Sequence, residues 1–253
     1  MGRQFAQHHQ AEVPASPDEV WAAIATGPGI DSWFMGRNEV TADTVRTMFG
    51  EYTPELEITA RDPAQRFAYR SGQAPDGRFI AYEFLIEGRA GGSTVLRTVV
   101  SGFLPSDDWA EEFEAMTLGG ELYFGTLVEY LTHFAGRFAA PVTAFGPPGT
   151  SWSRDRPLLS RALGLAESKP GDAKPGDAKP GDPVRFTGEI GPGTGVVYFA
   201  SAHAIGMRAP EALYRVMRGF GRPVIAAHHL FGADAEPDHA RQAWEAWLSR
   251  TLA

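Results

Sequence analysis

The stretch "PASPDEVWAAIATGPGIDSWF", residues 14–34, decides how this chain is read. Ser16 is a good helix N-cap, Pro17 fits the first helical position, and Glu19 completes a Ser-x-x-Glu capping box. Val20, Trp21, Ala23 and Ile24 then make one apolar face at helical spacing. Gly27, Pro28 and Gly29 must stop that helix, because proline removes a donor and glycine favours turns. Ile30, Trp33 and Phe34 resume an apolar face for one or two turns. Two short helices thus follow directly on one strand-like run, "FAQHHQAEV", at residues 5–13.

Working outward, strand-like runs separated by turn residues occur at 45–49, 56–59, 66–71, 79–87 and 95–103. "AGGS" at 90–93 reads as the hairpin between the last two. From 107 to 137 the period becomes helical again. Trp109, Phe113, Met116, Gly120, Tyr123, Leu127, Leu131 and Phe134 fall three or four apart and mark one buried face. Gly119 and Gly120 interrupt it, each about 1 kcal/mol less favourable than alanine in a helix. A break into a short and a long piece is expected there, in preference to a close approach to the sheet.

Composition narrows the function classes. With 253 residues, 43% of them hydrophobic, the chain can bury a sizeable core in one large domain or two smaller ones. A net charge of −8 argues against a nucleic-acid partner, which needs a basic face. No run of about 18 apolar residues is present to span a bilayer. The start "MGRQFAQHHQ" lacks the apolar core of a secretion signal, and Ala6 replaces the hydroxyl residue that myristoylation requires. The absence of cysteine excludes disulfides, thiolate metal sites and a cysteine nucleophile. The expectation is a soluble cytoplasmic protein without membrane insertion.

"KPGDAKPGDAKPGDP" at 169–183 repeats a five-residue unit three times, and its Pro-Gly punctuation fits a semi-extended tether. The preceding "APVTAFGPPGTSWSRDRP" is turn-rich as well. Three parts are therefore expected: a domain at 1–138, a linker at 139–183 with a short helix near 154–166, and a small α+β unit at 184–253. In that last unit "VRFTGEIGPGTGVVYFASAHAIGM" reads as two strands joined by a turn. Pro210 would open a helix with Leu213, Tyr214, Met217 and Phe220 on one face. A strand over 222–231 and a helix over 237–252 would finish the unit. "RAPEALYRV" at 208–216 echoes "ASPDEVWAA" at 15–23, which makes the unit a candidate degenerate copy of the first.

The order of elements, with "VPASPDEVWAAIATGPGIDSWF" near the start and "GGSTVLRTVVSGF" before the long helix, resembles the START-like (SRPBCC) superfamily over about residues 5–137. The nearest subgroup is the one named after the activator of the heat-shock chaperone ATPase. The resemblance implies an α+β helix-grip fold, a curved antiparallel sheet around a long C-terminal helix, followed here by the smaller α+β unit. It also implies an apolar cavity between sheet and helix. Trp21 would then pack its helix on the sheet, and Trp33 and Phe34 would lie at the cavity's entrance or in its wall. By resemblance and period together, the candidate ligand-binding residues are Trp33, Phe34, Phe49, Phe67, Tyr69, Tyr82, Phe84, Phe103, Met116, Tyr123, Phe124 and Leu127.

The residues name no reaction. "GPGTG" at 191–195 leads into a strand and lacks the Lys-Ser/Thr of a phosphate loop, so it reads as a turn. Adjacent histidines, His8-His9 and His228-His229, point to opposite faces of a strand and cannot readily chelate one metal. No metal or cofactor is expected, and no Gly-x-Ser-x-Gly or His-Glu-x-x-His signature occurs. Glu55, Glu57, Glu83, Arg61, Arg70 and Arg97 lie in strand-like runs, where alternation could aim some inward. The leading expectation is binding of an apolar small molecule, with the balance leaning away from catalysis. The alternatives are a cyclase/dehydrase-type enzyme using the same cavity, and a co-chaperone or regulatory protein with a protein partner.

Overall fold

The computed structural model describes residues 2–105, 109–165, 178–191, 193–219 and 224–253; the side chains of 109–116 lie outside that description. The chain divides into two compact units, Met1–Ala139 and Ala140–Ala253.

The first unit runs β1 (Arg3–Val13), α1 (Pro17–Ala25), α2 (Gly27–Ile30), β2 (Arg37–Val40), β3 (Thr44–Met48), β4 (Glu55–Asp62), β5 (Arg66–Arg70), β6 (Phe79–Gly88), β7 (Thr94–Leu104) and α3 (Trp109–His133). Its antiparallel sheet has the order β1-β7-β6-β5-β4-β3-β2. The first strand therefore lies beside the last, and α3, which follows β7, returns across these two. Along β1 the less exposed residues are Phe5, Gln7, His9, Ala11 and Val13, so this parity defines the inner face.

The capping box forms as expected. Ser16 Oγ accepts from Glu19 N at 3.3 Å, and Glu19 Oε2 accepts from Ser16 N at 2.8 Å. These bonds hold the Glu19 carboxyl below its ordinary range. Ser16→Ala is expected to cost the first unit about 1 kcal/mol, read as a fall in its denaturation midpoint; an unchanged midpoint would show that α1 is held by packing alone. Thr26 ends α1 and caps α2, its Oγ1 accepting from Gly29 N at 3.1 Å.

The break expected at Gly119 and Gly120 does not occur, and α3 is one helix of 25 residues. The reason is the close approach itself. A Cβ built on Gly120 would stand 2.7 Å from Gln7 Oε1 and 3.5 Å from His9 Nε2, whereas one on Gly119 would meet nothing. Glycine at 120 lets the helix backbone settle onto the polar side chains of β1, and that packing offsets the weak intrinsic propensity.

The second unit runs β8 (Ala140–Phe145), α4 (Trp152–Ala162), β9 (Pro183–Arg185), β10 (Thr194–Ala200), β11 (Ala204–Ala209), β12 (Ala212–Met217), β13 (Ile225–Leu230) and α5 (Pro237–Thr251). Its sheet order, β8-β13-β12-β11-β10-β9, again puts the first strand beside the last. Two expectations are corrected here. The zone from 139 into the 160s is not linker, because β8 pairs with β13 from Ala140↔Leu230 to Phe145↔Ile225 and α4 belongs to the same core. The five-residue repeat falls between α4 and β9 in the second unit, and the part of it at 169–177 lies outside the described residues. The helix expected after Pro210 is strand β12, paired on both sides with β11 and β13. Every residue of β12 is buried, so both parities had to be occluded and the strand shows no alternation to distinguish it from a helix. The echo between 208–216 and 15–23 is therefore not structural; the helix that follows the first strand is α4. Phe220 lies outside the described residues.

Candidate functional site: the interior of the first unit

Residues opposite one another in an antiparallel pair point to the same face. One inner row runs across four strand pairs: Gln7↔Val100, Val100↔Tyr82, Tyr82↔Tyr69 and Tyr69↔Ile58. The next runs His9↔Thr98, Thr98↔Phe84 and Phe84↔Phe67. Above these rows sit the early helices and α3. Trp21 meets Phe67 edge-on at 5.8 Å, and Trp33 meets Phe84 at 6.2 Å. Trp33 is fixed by its indole N–H, which donates to Ala23 O at 3.0 Å. Phe34 packs on Tyr123 at 4.7 Å, and His9 stacks on Phe124 at 5.1 Å. Tyr69 lies 5.1 Å from Tyr82 and 6.1 Å from Phe84, which closes a continuous aromatic lining.

Of the twelve residues expected from sequence, the geometry gathers Trp33, Phe34, Phe67, Tyr69, Tyr82, Phe84, Tyr123 and Phe124 around this interior. Leu127 is wholly buried on the same helix. Phe49 sits just beyond β3, bridged to Tyr52 in the turn before β4. Met116 falls among the side chains outside the description. Phe103 is a correction: its partners are Gln4 and Phe79, so it shares the outer face with Arg97, Val99 and Ser101. Its apolarity resembled the inner residues, but its parity is odd relative to Val100.

The inner residues divide by how completely they are covered. Trp33, Phe67 and Phe84 are fully packed, whereas Phe34, Tyr82, Val100, Tyr123 and Phe124 keep part of their surface although they point inward. Burial pushes the hydroxyls of Tyr69 and Tyr82 well above the usual phenol range. Tyr82 is thus surrounded by protein at its hydroxyl while its side chain keeps part of its surface accessible. Neither hydroxyl has a hydrogen-bond partner among the described residues, where buried tyrosines ordinarily find one. Tyr52, although largely exposed, has its hydroxyl raised by burial and close enough to Tyr82 to influence it electrostatically.

The polar side of the interior lies on β1. Gln7 Nε2 donates to Thr117 Oγ1 at 2.9 Å, leaving Gln7 Oε1 buried without a partner. His9 Nε2 is likewise buried and unpartnered. Burial lowers the His9 pKa against the opposing charge of Glu121, with His8 adding to the lowering. Sequence reasoning missed Gln7, His9 and Val100, although "FAQHHQAEV" places Gln7 and His9 on the parity of Phe5 and Val13. The charged candidates serve other ends. Arg66 pairs with Glu83 at 2.7 Å, and Arg97 with Glu87 at 3.0 Å. Glu55, Glu57 and Arg70 are exposed, and Arg61 lies over the Phe67 ring at 5.7 Å.

The corresponding space of the second unit is filled. Tyr214, Val216, Ala226, Ile205 and Met207 pack with Trp244, Trp247 and Leu248, all buried. His228 lies 4.2 Å from Trp244 on this face, and burial, with the Arg215 cation, pushes its pKa down to about 3. His229 turns to the opposite face, where its Nε2 meets Arg215 Nη2 at 2.7 Å. Among the described residues, no three His, Asp or Glu side chains come together as a metal site.

An antiparallel sheet with its first strand beside its last, capped by two short helices and crossed by a long C-terminal helix, defines a helix-grip fold of the α+β class. Solved structures similar to this chain include a Mesorhizobium loti protein, with 20% identity over 50% of this chain and 96% of that one, at a TM-score of 0.43. The Aha1 dimer of Colwellia psychrerythraea matches at 18% identity over 50% of this chain and 96% of that one, with a TM-score of 0.41. DynU16, from the dynemicin biosynthetic locus, matches at 20% identity over 98% of this chain and 95% of that one, also at 0.41. No family model matches the chain, and no curated protein matches it. Among the described residues, no helix is long and apolar enough to cross a membrane.

Proposed function

We propose that the first unit binds an apolar small molecule between its sheet and α3, and that the protein does this in the cytoplasm. The observation that carries the reading is the residual surface of inward-facing Phe34, Tyr82, Val100, Tyr123 and Phe124 within an otherwise enclosed interior. Apolar ligand surface buried there contributes about 25 cal/mol per Å² before association costs. The second unit is read as a second copy of the grip topology whose interior is occupied by its own tryptophans, so ligand binding is assigned to the first unit alone.

Native mass spectrometry of protein purified from its host tests this. A stoichiometric small molecule that leaves on denaturation is expected. Val100→Phe, which places a ring in the centre of the inner row, should lower the retained ligand at least about tenfold while the protein stays folded. Retention unchanged in Val100→Phe would place the ligand elsewhere and defeat the reading.

A second reading, a cyclase/dehydrase-type enzyme, has one observation in its favour. His9 offers a half-buried imidazole with lowered basicity on the inner face, the kind of group such chemistry needs. Turnover of the recovered ligand that His9→Phe abolishes, with binding intact, would favour it.

A further inference from the structure

Strands β5 and β6 carry paired aromatics at two successive inner positions, and the two pairs differ only in their hydroxyls. Phe67 faces Phe84 in one row, and Tyr69 faces Tyr82 in the next. The phenylalanines are covered by Trp21 and Trp33. The tyrosines place two hydroxyls inside, where burial keeps both protonated and neither donates to a described residue. Phenylalanine would fill the same ring volume without leaving a donor unpaired, so packing alone does not account for the second pair. Room is present beside it. Because β6 lies between β5 and β7, the accessible surface of Tyr82 belongs to its side chain on the inner face. Tyr52 marks the way in: it is 56% exposed, yet its hydroxyl is raised by burial and reaches Tyr82 electrostatically.

We infer that the hydroxyls of Tyr69 and Tyr82 together hold a neutral carbonyl oxygen of the ligand. The assignment rests on the binding reading above and adds the ligand's chemistry to it. In a tyrosine the Cβ, the ring centre and the hydroxyl lie on one line. Residues opposite one another have Cβ atoms about 5 Å apart, and these ring centres are 5.1 Å apart with planes 27° from parallel. The hydroxyls therefore stand about 5–6 Å apart, too far to bond to each other, and an oxygen between them lies about 2.7–3.0 Å from each. A carbonyl oxygen accepts from both. A hydroxyl in the same place would leave one of three protons unpaired, and an ammonium has nothing to accept with. A carboxylate would enter without a countercharge, because none of Gln7, Val100, Tyr82, Tyr69 and Ile58 in this row is charged. The ring of Phe84, 6.1 Å from Tyr69, offers a flat apolar wall beside the pair, which suits an aryl ketone.

Acetylnaphthalene and isopropenylnaphthalene, near-isosteres in which a methylene replaces the ketone oxygen, separate this inference from the reading beneath it. Isothermal titration of the full chain is expected to show the ketone binding at least about tenfold tighter, because the alkene leaves both hydroxyls unpaired. The carbonyl carbon resonance of isotope-labelled ketone should move downfield on binding, as hydrogen bonding requires. The double variant Tyr69→Phe, Tyr82→Phe keeps both rings. It should bring the two affinities together and abolish the downfield move while still binding isopropenylnaphthalene. Equal affinities in the native protein, or a downfield move that persists in the double variant, would overturn the carbonyl site and leave the apolar site standing. Failure of both compounds to bind would overturn the two together. The native-protein ratio needs no variant to fold.

Discussion

Replacing Gly29 with alanine is expected to destabilise the first unit by about 3 kcal/mol and to lower its unfolding temperature by about 10 °C. A Cβ at this position would overlap the Ala22 carbonyl oxygen and come within 2.8 Å of both the Ala22 carbonyl carbon and the Ala23 Cα. These are backbone atoms of α1, so no side-chain rotation can relieve the overlap, and α2 must move bodily away from α1. Movement of α2 carries Ile30 and the following Trp33 with it, and the indole would lose its bond to Ala23 O. Loss of stability and loss of ligand retention should therefore appear together. Hydrogen exchange in α1 and α2, followed by mass spectrometry, would report the change locally. Wild-type protection in Gly29→Ala would mean that the contact between these helices is looser than the structure shows.

Mild acid is expected to destabilise the second unit through His228. Its imidazole stays neutral in the folded unit down to about pH 3, whereas in the unfolded chain it protonates near 6.5. Above about pH 7 both states are neutral and the group has no effect. As pH falls below 6.5 only the unfolded state gains the proton, so stability drops by about 1.4 kcal/mol per pH unit, reaching about 2.7 kcal/mol at roughly pH 4.5. His228→Phe keeps a ring against Trp244 and removes the titration, and should flatten this slope. Asp155 in α4 is pulled upward by burial but lowered more by Arg154 and the Ser151 backbone, so its own acid loss sets in as pH falls through the ordinary carboxylate range and continues below it, equally in both proteins. Exchange protection in α5, measured from pH 7 to about pH 4.5 in both proteins, isolates the histidine's share. Identical slopes would mean that His228 is already protonated in the folded unit.

The early helices were legible because their signals are local. A capping box and a Pro-Gly break act within a turn or two, and Ser16, Glu19, Thr26 and Gly29 make the bonds their positions demand. The strands β3 to β7 were legible for the same reason, since turn residues separate runs that alternate. Aromatic members of the interior followed from the resemblance and from period, with Phe103 misplaced because apolar residues occupy both faces near the end of β7. Gln7 and His9 were passed over since a polar residue on an inner parity reads as an exposed one until its neighbour is known.

Sequence by itself therefore determined the order of elements in the first unit apart from the short strand β2, the helix-grip arrangement that the resemblance implies, and the aromatic composition of its interior. Tertiary structure decided the rest. Gly119 and Gly120 weaken an isolated helix, yet α3 is continuous because Gly120 meets β1, residues more than a hundred positions away. β8 and β12 carry no local strand signature; pairing with β13 makes β8 a sheet edge, and pairing with both β11 and β13 makes β12 an interior strand. Whether a grip is hollow or filled depends on side chains from separate elements meeting across it, tryptophans in the second unit and partly covered aromatics in the first, and no local pattern encodes that meeting.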